Sequence, residues 1–338
     1  MRRFLLRRFG TALLVLLGTT LVTFALARVV PANPAVTYLG GRARPEELAR
    51  VEQELGLDQP VPVQYLRYLG DLLRGDWGVS IGTKRPVLAE IGERLPATLE
   101  LLAAAMLLAL VLGVALGVVA AVRQNRTADH VIRLLAIGGV SMPAFWLGLL
   151  LQVVFSGRLA WLPPTGRLDP DLEFTDPVAG LTGLHTVDAL FTGNGAGLSS
   201  ALAHLVLPAA TLAAYPIGVV ARMTRATMIE ALAQDYVRAA RAYGVSERDI
   251  AWRIALRNAM PPTTTVLGLT LAYSLTGAFF VELVFNWPGL GLYASTALLN
   301  VDYPAIMGVT VLGATAYVLV NLVVDLVQAR LDPRAALA

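Results

Sequence analysis

Six long apolar runs are the feature that most constrains what this chain can fold into. They cover approximately residues 9–30, 97–122, 132–155, 199–221, 263–285 and 304–327. A helix needs about 20 apolar residues to cross the hydrocarbon core of a bilayer, and each run is long enough. The chain also has 15% charged residues, whereas soluble domains carry about 25%. The sequence therefore predicts an all-α polytopic membrane protein with six transmembrane helices.

The placement of arginine predicts the orientation of these helices. On one side of the predicted membrane the arginines are Arg2, Arg3, Arg7, Arg8, Arg123, Arg126, Arg133, Arg222, Arg225, Arg330 and Arg334, with those of the segment 231–262. The segments 156–198 and 286–303 hold only Arg158 and Arg167, against several acidic residues. The positive-inside rule then places both termini in the cytoplasm. The net charge of +3 reflects this topology and not nucleic-acid binding.

The first run is predicted to be a retained anchor, because it is longer than the roughly 7–15 apolar residues of a signal peptide. Residues 1–96 are predicted to form this helix and a small extracytoplasmic lobe. Within the lobe, residues 44–55 form a polar helical stretch and residues 64–69 an aromatic, amphipathic one. Residues 97–330 are predicted to form the second domain. The segment 156–198, rich in Gly, Pro and Asp, is expected to be mostly irregular.

Prolines predict breaks in two of the spans. Ser141-Met142-Pro143 lies near the middle of the third run, and Pro208 and Tyr215-Pro216 interrupt the fourth. A proline removes a helical hydrogen bond and kinks the helix, and broken spans often line the pathway of a transporter. Gly113 and Gly117, four residues apart, permit a close approach between helices. Phe285 and Trp287 are expected to lie at the membrane interface.

The segment 231–262 is a long polar, arginine-rich stretch between two apolar runs, and residues 223–262 are predicted to form a helical hairpin outside the bilayer. Asp235 to Tyr243 is rich in helix formers and is followed by Gly244, a typical C-terminal stop. Ser246 begins a second run with acidic residues in its first turn. Composition alone leaves two interpretations open, a solvated connector and a docking surface for a cytoplasmic partner.

Several kinds of chemistry have no support in the sequence. No GxxxxGK[ST] motif is present, cysteine is absent, and the single lysine is Lys84. The histidines are His130, His185 and His204, which lack metal-ligand spacing and are expected to be surface or interfacial residues. Glu100, Glu282 and Asp325 lie near span ends, so no acidic group is expected at mid-membrane. This argues against an ion-coupled carrier.

The hairpin resembles the "EAA" loop of ABC importer permeases. Ala239-Ala240 is followed at the family spacing by Gly244, Ile254 and Leu256. Arg238 stands where glutamate is usual, and Pro261 comes about one helical turn late. Both departures are features of the B-type permeases of dipeptide, oligopeptide and nickel importers. Similar short motifs lie at 39–41, 45–48, 55–58, 62–65, 95–99, 145–148, 285–291 and 302–304, so the resemblance covers nearly the whole chain.

The resemblance implies a type I importer permease fold over 97–330 and a non-catalytic subunit in a prokaryotic plasma (inner) membrane. The implied partners are a homologous permease subunit, two ATPase subunits and an extracytoplasmic substrate-binding protein. This chain would bind no cofactor, since ATP and magnesium belong to the ATPases. The residues implied to contact the ATPase are Arg238, Ala239, Ala240, Arg241, Gly244 and Val245.

The cargo implied by the resemblance is a di- or oligopeptide, and no residue that contacts it can be assigned. Nickel or another small solute is an alternative cargo within the same family. An ion-coupled secondary transporter is a weaker alternative. A third is a membrane-anchored scaffold or receptor in which residues 31–96 bind a ligand and the hairpin signals.

Overall fold

The computed structural model of the protein describes residues 2–29, 44, 46, 50 and 59–331. The helices whose bounds the structure gives are α1 (Arg2–Val29), α2 (Val61–Leu73), α3 (Val87–Val122), α4 (Thr127–Ser141), α5 (Ala144–Arg158), α6 (Pro170–Thr175), α7 (His185–Thr192), α8 (Gly195–Leu232), α9 (Asp235–Ala242), α10 (Glu247–Val284), α11 (Leu290–Leu299) and α12 (Tyr303–Leu331). The chain divides into two compact units. Unit 1 is Met1–Leu95 with Tyr293–Val318, and unit 2 is Pro96–Leu292 with Leu319–Ala338.

The predicted all-α architecture with six spans is confirmed. α1, α3, α8, α10 and α12 are each long and apolar enough to cross a membrane. α4 and α5 pass the same test together, and they are bent by 111° at the break between them. Counted as one broken span, this pair brings the number of candidate spans to six. Its break lies where the sequence places Met142 and Pro143.

Unit 1 packs α2 against α1 through aromatic side chains. The ring of Phe24 lies 5.4 Å from that of Tyr65 and 5.9 Å from that of Tyr68. The Tyr65 hydroxyl is also 3.0 Å from the hydroxyl of Thr20. The predicted amphipathic stretch at 64–69 is thus helical, with its aromatic face on the first span. The helix predicted for 44–55 lies outside the described residues except at its isolated positions 44, 46 and 50.

In unit 2, α8 is the helix around which the others pack, with contacts to α3, α4, α5 and α10. Apolar side chains do not drive helix association inside lipid, so close packing of small residues matters more there. Gly117 shows how close the helices come, because a Cβ on it would lie 2.5 Å from Cβ of Thr224 and 2.8 Å from the carbonyl oxygen of Ala221. Gly113 makes a similar approach to Val220. The close approach predicted from this glycine pair is confirmed.

The breaks predicted in the fourth span are wrong. α8 continues unbroken through Pro208 and Pro216. Both prolines are buried, and neighbouring helices hold the chain helical although each proline removes a hydrogen bond. The segment 156–198 contains the two short helices α6 and α7, with irregular chain over about half of its length. We call residues 159–194 the cap.

Candidate functional site

The hairpin between α8 and α10 has the form that the sequence predicts. α9 ends in a Schellman motif, in which the amide of Gly244 donates to the carbonyl of Arg241 (3.0 Å) and that of Val245 to Ala240 (3.1 Å). Gly244 has a φ of 77°, a left-handed conformation that glycine adopts without strain. The helix stops here because glycine reverses the chain while the last carbonyls keep their partners.

The second limb of the hairpin begins at Ser246 and is continuous with the fifth span. The Ser246 hydroxyl accepts from the amide of Asp249 at 3.1 Å and donates to the Asp249 carboxylate at 2.7 Å. The helix then runs to Val284, with a wider helical turn over Ile250–Ala255. No loop separates the second limb from the membrane span. The hairpin and the fifth span therefore share one continuous helix, α10.

An ion pair closes the hairpin across its turn. The Arg241 guanidinium donates to the Glu247 carboxylate at 2.7 and 3.1 Å, in a bidentate arrangement. This hydrogen bond raises the pKa of Arg241 above its ordinary value. Arg238 similarly pairs with Asp235 within α9. These two arginines thus have partners inside the hairpin.

The six residues expected to contact an ATPase lie together around the end of α9. Arg238, Ala239, Arg241, Gly244 and Val245 are exposed, and Ala240 is half-buried. Val237 and Ile250 are completely buried. The second limb is joined to the rest of unit 2 by Ala251 and Ala255, which belong to one buried apolar cluster with Met228 and Ala231 of α8. The hairpin therefore has a buried base and an exposed tip.

Sequence reasoning did not identify the aromatic part of this tip. Tyr243 is 88% exposed and Trp252 is 43% exposed. Large apolar side chains that stay exposed on a folded surface often mark contact sites for partners. The signal in the sequence was a tyrosine beside a C-terminal glycine, at a position where the residues three or four away are only alanine, serine or glutamate.

The second candidate feature is the break between α4 and α5. The last hydrogen bond of α4 runs from the amide of Met142 to the carbonyl of Gly138 (3.0 Å). Met142 and Pro143 are then extended, with ψ values of 132°. No side chain caps α5 at Pro143. The first N–H groups of α5 and the last carbonyls of α4 are consequently left without helical partners.

A buried carboxylate fixes the turn that follows α10. Glu282 is fully buried and accepts hydrogen bonds from the Thr98 hydroxyl (2.7 Å) and from the amide of Gly291 (2.6 Å). In the same turn, the Trp287 indole donates to the carbonyl of Ala97 at 2.8 Å. Phe285 and Trp287 are both 1% exposed. Both rings therefore pack inside unit 2, and neither faces lipid; their depth in the membrane stays a prediction.

The cap is held to α3 by a second buried carboxylate. Glu100 accepts from Arg167 at 2.9 Å and from the amide and hydroxyl of Thr186 at 2.8 and 2.6 Å. His185 lies beside this group, and burial, followed by the charge of Arg167, lowers its pKa below 6.5. Asp188 is also buried, which opposes ionisation, but hydrogen bonds from 182–183 outweigh burial and lower its pKa.

The three histidines occupy different environments. His130 is exposed on α4, as expected. His204 is not a surface residue: it is 5% exposed, and its Nδ1 lies 2.9 Å from the carbonyl oxygen of Ser200. The polar cap covers this position on α8, which is why an apolar sequence context did not reveal its burial. Among the described residues, no three His, Asp or Glu side chains are arranged to hold a metal ion.

Comparison with known families finds two matches that together span most of the chain. Residues 113–337 match the family described as "Binding-protein-dependent transport system inner membrane component". Residues 1–102 match the family described as "Binding-prot-dependent transport system membrane comp, N-term".

Curated relatives match over nearly their whole length. The chain is 48% identical over 321 residues to the probable D,D-dipeptide transport system permease protein DdpB of Escherichia coli (strain K12), covering 95% of this chain and 94% of the relative. It is 41% identical to the dipeptide transport system permease protein DppB of Alkalihalophilus pseudofirmus, covering 99% of both chains. It is also 41% identical to DppB of Escherichia coli (strain K12), covering 99% of this chain and 98% of the relative.

Proposed function

The chain belongs to the family of binding-protein-dependent transport system inner membrane components, and from this premise we propose that it is a permease subunit of an ATP-driven importer of dipeptides. The printed names of its relatives, D,D-dipeptide and dipeptide permeases, support a peptide cargo over nickel. With a homologous permease subunit, it forms a translocation path. A substrate-binding protein delivers the peptide, and ATP is hydrolysed on two partner subunits while this chain remains non-catalytic.

The observation that carries the mechanism is the hairpin. Its tip is exposed, whereas Ala251 and Ala255 at its base belong to a buried apolar cluster with Met228 and Ala231 of α8. Its second limb is continuous with α10 over Glu247–Val284. A partner that moves the tip therefore moves a helix of 38 residues, which is about 57 Å long. We infer that closure of the ATPase pair pulls the hairpin and tilts α10 against α8.

The proposed function also determines the orientation of the chain in the membrane. The hairpin and both termini face the cytoplasm, where the ATPases are, and the cap faces the binding protein. The exposed surface of the cap is acidic, with Asp169, Asp171, Glu173 and Asp176 exposed, whereas its Arg167 is buried against Glu100. This asymmetry supports the orientation that the positive-inside rule gives.

The direct test is uptake by the reconstituted complex. The chain is co-expressed with a candidate second permease and candidate ATPases from the same genome, and proteoliposomes are supplied with the binding protein and radiolabelled L-Ala-L-Phe or D-Ala-D-Ala. The proposal expects uptake of at least one dipeptide that requires both ATP and the binding protein. Uptake driven by an ion gradient without ATP would show that the chain is a secondary carrier.

A further inference from the structure

A groove follows the C-terminal half of α1 within unit 1. α1, α11 and α12 line it, and its volume is about 690 Å³, within the range of about 300–1,000 Å³ for small-molecule sites. On α1 the lining extends from Leu14 to Ala27, a length of about 20 Å along the helix. We call it the α1 groove. All its lining residues belong to unit 1, whereas the hairpin and the cap belong to unit 2.

The wall of the α1 groove is apolar. None of its lining residues, all of which are described, is charged. Among its threonines, Thr23 and Thr310 donate their hydroxyls to backbone carbonyls of their own helices, at Thr19 and Ile306. Such back-bonding leaves these hydroxyls with no need of a further partner. Leu26 in the wall is 59% exposed, so the groove offers contact to a hydrocarbon ligand.

The dimensions of the groove favour a narrow chain over a protein helix. Its 690 Å³, divided by a length of about 20 Å, give a mean cross-section of about 35 Å². A helix with its side chains is about 10–12 Å in diameter and needs at least about 80 Å². The length of about 20 Å exceeds by a few ångströms the half-thickness of a bilayer core, which is about 15 Å. An acyl chain of one leaflet, together with the start of its glycerol region, matches both dimensions.

One hydrogen-bonding group in the groove wall is unused. Tyr303, the first residue of α12, lines the groove and is 9% exposed. Its hydroxyl is buried and has no hydrogen-bond partner among the described residues. A buried polar group without a partner is costly. Tyrosines at the end of a membrane span lie at the level of the lipid headgroups, where the ester carbonyls of phospholipids supply acceptors.

We propose that the α1 groove binds one acyl chain of a phospholipid, with the Tyr303 hydroxyl donating to an ester carbonyl of that lipid. The orientation in the proposed function places the lipid in the outer leaflet, and only this choice of leaflet rests on the proposed function. In α1 and α12, 17% and 11% of the most apolar windows are buried inside the protein. The bound lipid therefore supplies packing between these two spans that the chain itself does not.

Photocrosslinking tests the site in the complete transporter. The complex is reconstituted in vesicles of phosphatidylethanolamine and phosphatidylglycerol with a small fraction of phosphatidylcholine that carries a diazirine on one acyl chain. Crosslinked residues are mapped by mass spectrometry. Leu319 on α12 is 55% exposed and lies outside the groove, so the residues around it report contact with bulk lipid. The inference expects the yield per residue over 14–27 to be at least about threefold higher than around Leu319.

Filling the groove distinguishes a bound lipid from bulk lipid. Gly18 lines the groove, and a Cβ on it would meet no atom within 4 Å, so Gly18→Phe places a ring in the groove. Gly10 is equally open on the same helix but outside the groove, and Gly10→Phe is the matched control. Gly18→Phe should lower the crosslinking yield over 14–27 at least about threefold, and Gly10→Phe should leave it unchanged. Equal yields in the two variants would overturn the inference, as would crosslinks over 14–27 no more frequent than around Leu319.

Removal of one hydroxyl tests the polar contact without altering the shape of the groove. Tyr303→Phe breaks no hydrogen bond within the described protein and should lower crosslinking over 14–27 about fivefold. Tyr68→Phe is the control, because its buried hydroxyl also lacks a partner in the described part of the chain but lies outside the groove. Equal crosslinking by the two variants would contradict the role of Tyr303. These measurements need no transport, so absence of ATP-dependent dipeptide uptake would refute the proposed function and leave the lipid site standing.

Discussion

Arg241 on the first limb of the hairpin donates two hydrogen bonds to Glu247 on the second, at 2.7 and 3.1 Å. The pair bridges the turn formed by Gly244 and Ser246. Among the residues proposed to contact an ATPase, Arg241 thus has a second role, which is to hold the two limbs at a fixed angle. We expect it to position the tip rather than to bind the partner through its charge.

Reversing the charge of Arg241 distinguishes a role in positioning the hairpin tip from direct binding to the ATPase. Arg241→Glu should lower ATP-driven uptake about two- to fivefold, because the loss of an exposed ion pair has a modest effect. The double variant Arg241→Glu with Glu247→Arg restores the pair and should recover uptake. Arg248→Glu changes the same charge on the same hairpin without breaking this bridge, and it serves as the control. A double variant as impaired as the single one would mean that Arg241 contacts the partner directly.

Position 244 requires glycine because of its backbone conformation, and not because neighbouring atoms leave no room for a side chain. Its φ is 77°, and a Cβ added to it would meet no atom within 4 Å. Gly244→Val should strain the turn by about 1–2 kcal/mol and reduce the peptide transported per ATP hydrolysed, while membrane insertion is retained. Gly244→Asn should be milder, because asparagine tolerates the left-handed region. Normal uptake by Gly244→Val would count against the coupling role of the hairpin.

The contact between α3 and α8 should be sensitive to a single methyl group. Gly117→Ala places a Cβ 2.8 Å from a backbone oxygen of α8, so we expect a loss of about 1–3 kcal/mol in the free energy of unfolding. Gly138→Ala is the control, because its Cβ would meet nothing within 4 Å. The thermal midpoints of both variants in detergent micelles measure the difference. Equal midpoints would show that the helices separate readily at Gly117.

The stability of the cap should fall as the pH falls from 7 to 5. Burial, followed by the charge of Arg167, lowers the pKa of His185 from its ordinary 6.5. In this window the unfolded state takes up a proton that the folded state does not, so stability is present above pH 6.5 and decreases below it. His185→Gln should flatten the dependence of the thermal midpoint on pH, whereas exposed His130→Gln should not. Identical pH profiles for the wild type and His185→Gln would refute this assignment.

Much of this structure follows from local sequence. The six spans are predicted by apolar length, and the hairpin by Gly244 and Ser246, whose backbone and capping requirements are local. The break at Met142 and Pro143 follows from the missing N–H of proline. The six candidate residues of the hairpin also cluster as expected, since they are close in sequence.

The remaining features depend on packing between distant segments. Pro208 and Pro216 carry the same local signal as Pro143, but α8 is enclosed by other helices and stays continuous. Glu282 appears at the end of an apolar run, and its burial becomes apparent only when Thr98 and the turn at Gly291 are brought to it. The cavity beside the break between α4 and α5 likewise needs α4, α5, α8 and α10 together, so no single stretch predicts it.

The central claim is that the hairpin couples this chain to an ATPase, and crosslinking tests it most directly. Val245 is exposed beside the turn and makes no side-chain cap, so Val245→Cys leaves the Ser246 cap intact. Disulfide formation with single cysteines on the surface of the cognate ATPase is measured in native membranes, with and without ATP. The account predicts a crosslink whose yield changes with ATP. No crosslink at any ATPase position, with the thiol accessible and the ATPase present, would make the hairpin a simple connector.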